Sequence, residues 1–104
     1  MGLYPIFDLL PALRERAPVA GLLPSATPVT TLPEAPGLHL KRDDCSAPDY
    51  GGNKIRKLDF LLGSARARGV REIIAFGYAG SNFVAATAWH AHKFGIRTCG
   101  FLLP

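Results

Sequence analysis

Seven of the nine prolines fall within the first 37 residues: Pro5, Pro11, Pro18, Pro24, Pro28, Pro33 and Pro36. Each fixes φ and removes a backbone donor, so long regular elements are confined to residues 38–104. The first 37 residues read as an extended arm with room for one short helix over about 8–16. From residue 38 the pattern changes. Leu38-His39-Leu40-Lys41-Arg42 alternates as a strand, and Asp43 to Tyr50 is a polar loop. Ile55, Leu58, Leu61, Leu62 and Ala65 recur at helical spacing, which predicts a helix over 53–68 with Asn53 as its N-cap and Gly69 as its stop. Glu72-Ile73-Ile74-Ala75-Phe76 is a continuous apolar strand of the kind covered on both faces. Ser81 caps a second helix that runs to Phe94, and Thr98 to Leu103 forms a third strand. Strand, helix, strand, helix, strand predicts an α/β fold: a three-layer βαβαβ unit on a parallel sheet. The chain thus divides into a proline-rich arm, 1–37, and an incomplete α/β domain, 38–104.

A chain of 104 residues makes one small domain. With 48% hydrophobic and 19% charged residues it is composed as a folded globular protein. The net charge of +4 and a pI of about 9.4 raise the question of nucleic acid. The basic residues are spread along the chain, however, and no basic run is interleaved with aromatics, so no nucleic-acid partner is expected. Cys45 and Cys99 have no metal spacing and read as reduced thiols, which makes a cytoplasmic location the expectation. His39, His90 and His92 form no ligand set, so no metal is expected. No stretch reaches the roughly 18 apolar residues of a membrane span, and no membrane partner is expected.

The chemistry concentrates in Gly51-Gly52-Asn53-Lys54-Ile55-Arg56-Lys57-Leu58. Two glycines free the backbone to turn. Lys54 then falls in the first helical turn, on the side of Leu58, Leu61 and Ala65, where the helix dipole repels a cation. An ammonium partly desolvated at such a place gives up its proton more readily than a free one, and a neutral amine is what Schiff-base chemistry requires. The plainer reading is that Lys54 snorkels to solvent at the helix start. A second turn, Phe76-Gly77-Tyr78-Ala79-Gly80-Ser81-Asn82, links a strand end to a helix start, where open α/β sheets hold ligands. It has neither P-loop nor dinucleotide spacing. Ser81 there is either a simple N-cap or a site residue. Tyr50 and Tyr78 flank the two glycine turns, and Trp89 reads as a core residue of the second helix.

Taken in order, Thr27-Pro28-Val29, Leu40-Lys41-Arg42-Asp43-Asp44, the lysine motif and Gly80-Ser81-Asn82 resemble the N-terminal portion of pyridoxal-phosphate enzymes of the tryptophan-synthase-β-like fold, fold type II. The resemblance is greatest to the 1-aminocyclopropane-1-carboxylate (ACC) deaminase/D-cysteine desulfhydrase family and covers roughly residues 25–103. It implies a lyase or deaminase acting on a small amino acid, with pyridoxal 5'-phosphate held as an internal aldimine on Lys54. It places Asn82 beside the cofactor ring hydroxyl and Ser81 beside the substrate. Many relatives carry Gln before the Ser-Asn pair and a polar residue after it, where this chain has Gly80 and Phe83. The resemblance also implies that contacts to the cofactor phosphate and ring nitrogen lie beyond residue 104, and that the full-length enzyme is a homo-oligomer. This chain alone is accordingly not expected to be an efficient enzyme. The alternative is a non-catalytic, truncated α/β module that keeps the fold without cofactor chemistry.

Overall fold

The computed structural model describes residues 3–104. Two single-turn helices open it, α1 (Ile6–Leu9) and α2 (Leu13–Arg16). The one short helix expected over 8–16 is therefore split, because Pro11 lacks the N–H that would continue it. Strands β1 (Val29–Leu32) and β2 (Ala35–Lys41) form an antiparallel hairpin, with Thr30 opposite Leu40 and Thr31 opposite His39. The register shifts at Leu32, which pairs with Ala35, so Pro36 and Gly37 (φ +91°) sit in a bulge. A bulge is where a strand tolerates proline and a left-handed glycine.

The helix α3 (Ile55–Ala67) buries Ile55, Leu58, Leu62 and Ala65 and ends where Gly69 adopts φ +67°. Strand β3 (Glu72–Tyr78) runs parallel to β4 (Arg97–Leu103), with Ala75 opposite Gly100. Between them α4 (Asn82–His92) packs on one sheet face. Small residues allow its close approach: a Cβ at Gly100 would lie 3.1 Å from Val84, and one at Gly77 would crowd Ser81.

The α/β class and the small parallel sheet stand as expected. The first of the three expected strands does not join that sheet. Residues 38–41 lie in β2, paired to β1 at the tight turn of Pro33 and Glu34. Closing this local hairpin needs almost no loop entropy, whereas pairing with β3 would need a long crossover. The parallel sheet therefore has two strands rather than three. Only α4 covers the β3–β4 pair closely. On the other face Ile74, Phe76, Tyr78, Phe101 and Leu103 are exposed, with the Phe76 and Phe101 rings stacked at 5.4 Å.

Residues 4–23 are fastened to α3. Asp59, completely buried, accepts hydrogen bonds from Gly21 N (2.7 Å), Leu22 N (2.9 Å) and the Tyr4 hydroxyl. Gly63 lies directly beneath the Pro18 carbonyl, with no room for a Cβ. Leu22 and Leu23 then join the core beside Ile55, Leu58 and Leu62. A hydrophobic-spacing argument cannot find Asp59, because a carboxylate on the buried helix face looks like a mismatch until its three donors are located.

Candidate functional site

The loop into α3 is built to approach other backbone closely. A Cβ on Gly51 would overlap the Asp44 carbonyl, and Gly52 holds φ +116°, which side chains rarely adopt. Buried Ser46 donates from Oγ to the Gly52 carbonyl (2.8 Å) and accepts from Gly52 N (3.0 Å). The chain enters the helix through a turn in which Lys54, at the N-cap position, already has helical angles (φ −76°, ψ −20°). Asn53 is therefore not the cap that its type suggested. It is exposed, and no side chain caps this helix start.

Lys54 and Asn82 line the same open cavity of about 360 Å³, together with Tyr50, Gly51, Gly52 and Ala86. Both stand at helix starts, so the topology brings together the two residues that the sequence pattern singled out. Lys54 is half-buried. Leu61, expected on its inward side, is half-exposed along an apolar groove between α3 and β3.

The cations around Lys54 are distinguished by their partners. Arg56 pairs with Asp43. Lys57 sits over the Phe83 ring at 4.5 Å, which gives the apolar residue after Ser-Asn a packing role. Lys41 donates to the Thr27 carbonyl, and Lys93 pairs with Asp49. Of the four lysines only Lys54 has no hydrogen bond, ion pair or ring contact among the described residues.

Ser81 caps α4, accepting from Val84 N at 3.3 Å. It does not line the cavity with Lys54 and Asn82. Tyr50 does, whereas Tyr78 is 70% exposed on the open sheet face. Trp89, expected in the core, is half-exposed: its indole N–H reaches Asp49 at 3.0 Å, a polar tie that holds the ring at the surface.

A network outside the cavity fixes the loop. Arg56 donates to Thr27 Oγ1 (2.8 Å) and to Asp43 Oδ1 (2.9 Å), joining the Thr-Pro-Val segment, the charged segment and the lysine helix. The hydrogen bond from Arg56 is the main reason the Asp43 carboxyl is held below its usual range. Asp44, hydrogen-bonded by Arg42, is lowered to about 2. Asp49 is lowered further, first by Lys93 and then by Trp89. In the sequence the Lys41–Asp44 segment carries only part of the resemblance. The sequence pattern missed Asp49 and His90, whose partners lie 40 residues away in the chain. Helical spacing alone puts His90 on the face of Asn82 and Ala86, and that was the available signal.

No family model matches the chain. It is 42% identical, over all of its 104 residues, to nocardicin C-9' epimerase from Nocardia uniformis subsp. tsuyamanensis. It is 42% identical over 90 residues to a putative 1-aminocyclopropane-1-carboxylate deaminase from Pyrococcus abyssi. It is 38% identical over 92 residues to D-cysteine desulfhydrase of Salmonella paratyphi A. The crystal structure of an ACC deaminase homologue superimposes with a TM-score of 0.79 at 36% identity, covering 88% of this chain and 30% of that one. The chain spans 28%, 27% and 28% of the length of the three relatives. In sequence and fold, then, this chain is similar to a segment of the ACC deaminase/D-cysteine desulfhydrase group. Among the described residues no helix is long and apolar enough to cross a membrane.

Proposed function

We propose that this chain is the lysine-bearing portion of a pyridoxal-phosphate-dependent enzyme acting on a small amino acid, of the ACC deaminase/D-cysteine desulfhydrase type. The observation that carries the reading is the partnerless Lys54 amine sharing a cavity with Asn82. The donor set fits the cofactor: an uncommitted amine for its aldehyde and a side-chain amide for its ring hydroxyl. When bound, pyridoxal phosphate supplies the electron sink for bond breaking at the substrate. Lys54 Nζ would be the side-chain atom that holds the cofactor, and it is placed to take or return a proton at the substrate. Asn82 orients the ring. Ser81 stands one residue before Asn82 and outside the cavity lining; its Oγ accepts from Val84 N, and the hydroxyl proton this leaves would be its means of meeting a substrate. The cytoplasmic location and the homo-oligomer of the full-length enzyme belong to the same reading.

A second reading of the chemistry, epimerisation, is favoured by one observation. The epimerase from Nocardia matches all of the chain, arm included, whereas the deaminase and desulfhydrase matches cover 82% and 84% of it. Epimerisation needs a proton to leave one face of a carbon and a proton to reach the opposite face, and Lys54 Nζ would serve one of the two.

The test is to incubate the chain with pyridoxal phosphate, reduce with borohydride and locate the adduct by peptide mass spectrometry. Modification concentrated at Lys54, and lost from that position in Lys54→Arg and Lys54→Ala, supports the reading. Arginine cannot replace lysine here because the guanidinium stays protonated. Equal modification of Lys41, Lys54, Lys57 and Lys93 would favour the non-catalytic module instead. With ACC, D-cysteine and chiral amino acids offered in deuterium oxide to an enzyme that carries this segment, ammonia release marks a deaminase or lyase. Deuterium uptake without ammonia marks an epimerase.

A further inference from the structure

The structure assigns His90 as the positioning residue that holds the Tyr50–Gly52 rim of the cavity against α4 and thereby sets where Lys54 stands relative to Asn82. This rests on the reading of Lys54 and Asn82 as one site. His90 is completely buried, and its Nε2 lies 2.9 Å from the Tyr50 carbonyl. A carbonyl only accepts, so Nε2 carries the proton and donates it. Nδ1 has no partner among the described residues, which leaves the bond to Tyr50 as the ring's one polar connection. The Tyr50 ring meets the imidazole edge-on at 6.3 Å. The neighbouring residue Asp49 is held by Trp89 and Lys93 of the same helical segment. The far half of α4 thus grips residues 49 and 50, immediately ahead of the two glycines that turn the chain into Lys54. The near end of the same helix presents Asn82 to the cavity. One rigid helix spans both contacts. The grip at His90 consequently fixes the distance between a residue on the loop and a residue on the helix, although His90 itself does not line the cavity.

The experiment labels the chain with pyridoxal phosphate and borohydride and scores adduct at Lys54 relative to Lys57 in the same molecule, so that loss of fold and loss of positioning separate. His90→Leu keeps the burial and removes the donor. The expected result is a fall of about tenfold in the Lys54 to Lys57 ratio, with circular dichroism unchanged. His90→Gln restores an N–H donor and is expected to recover most of the ratio. An unchanged ratio in His90→Leu, or an equal loss in His90→Gln with the fold intact, overturns the assignment. A measurement on the unsubstituted chain stands apart from these variants: imidazole nitrogen NMR should show the proton on Nε2, in slow exchange with solvent. A proton on Nδ1 overturns the inference. Absence of selective Lys54 labelling in the unsubstituted chain counts against the functional reading, and the NMR result then still decides the His90 contact.

Discussion

The Arg56 guanidinium stands 2.9 Å from Asp43 Oδ1 while also donating to Thr27, so one side chain of the lysine helix holds both the hairpin entrance and the loop ahead of the glycines. The Asp43 carboxyl is lowered by this contact. Its ionised form is therefore favoured in the folded chain. The stability this contributes is fully present above the ordinary aspartate value of about 3.9 and is lost as pH falls through the lower folded value. Both side chains are about one-third exposed, so solvent screening keeps the contribution under about 1 kcal/mol. Urea midpoints measured from pH 7 to pH 2.5 should fall below about pH 4. Asp43→Asn should flatten part of that slope. An acid limb equally steep in the variant would remove Asp43 from the explanation.

Asp59 distinguishes two substitutions that look similar. Both the Gly21 and Leu22 amides donate to the same oxygen, Oδ1. Asp59→Asn keeps an oxygen there and should cost about 1 kcal/mol, whereas Asp59→Ala leaves two amides without an acceptor and should cost about 3 kcal/mol. Chemical denaturation of the two variants measures the difference. Comparable losses would mean that the charge, not the paired amides, holds the arm.

Tyr4 carries the alkaline counterpart. Its phenol is raised above the ordinary tyrosine value, first by burial and then by the hydrogen bond to Asp59. The protonated form is favoured in the folded chain, so this contribution is complete below the unfolded value of about 10 and is lost as pH rises beyond it. Melting temperatures should be flat from pH 7 to 9 and drop above pH 10, with Tyr4→Phe showing a shallower drop. A Tyr4→Phe curve that parallels the unsubstituted chain would contradict this.

The sequence made legible the part whose signals are local. Helical spacing located α3, Ser81 capped α4 as a serine before an apolar run should, and Gly69 and Gly95 ended both helices with φ near +68°. Lys54 and Asn82 do line one cavity, but not for the reason the pattern offered, because the strand ahead of Lys54 belongs to the hairpin and not to the parallel sheet that leads into Asn82. The signals that misled were those whose outcome depends on distant partners. Leu38 to Lys41 had a strand pattern, but nothing local says which strand it joins. Trp89 had the composition of a core residue, and an aspartate 40 residues earlier in the chain holds it at the surface. Asp59 and His90 were passed over for the same reason: a buried polar side chain gains its meaning only from groups that folding brings to it.

Gly51 should tolerate no side chain. A Cβ there would overlap the Asp44 carbonyl, and the obstacle is backbone rather than a movable side chain. Gly51→Ala should cost about 1–3 kcal/mol and displace the loop ahead of Lys54. By contrast, Ala substitution at Gly21, where a Cβ meets open space, should cost only the strain of φ +84°. Denaturation curves together with the Lys54 labelling ratio separate the two: only Gly51→Ala should lower both. Preserved labelling in Gly51→Ala would show that the loop relaxes without moving the lysine.

The open face of the β3–β4 pair yields the last prediction. Ile74 is 56% exposed, Phe76 70% and Phe101 55%, and the two rings stack on each other without a covering layer. Parallel strands ordinarily have both faces covered, so this surface should behave as exposed hydrophobic area rather than as core. The chain should enhance the fluorescence of anilinonaphthalene sulfonate and associate with itself as concentration rises. Phe76→Ser combined with Phe101→Ser should lower both signals severalfold. The cost in stability should stay within about 0.5–1.5 kcal/mol, mainly the lost ring pair, because neither ring is buried in the fold. A loss of several kcal/mol, or unchanged dye binding, would mean that these rings are packed in solution and that the face is not open.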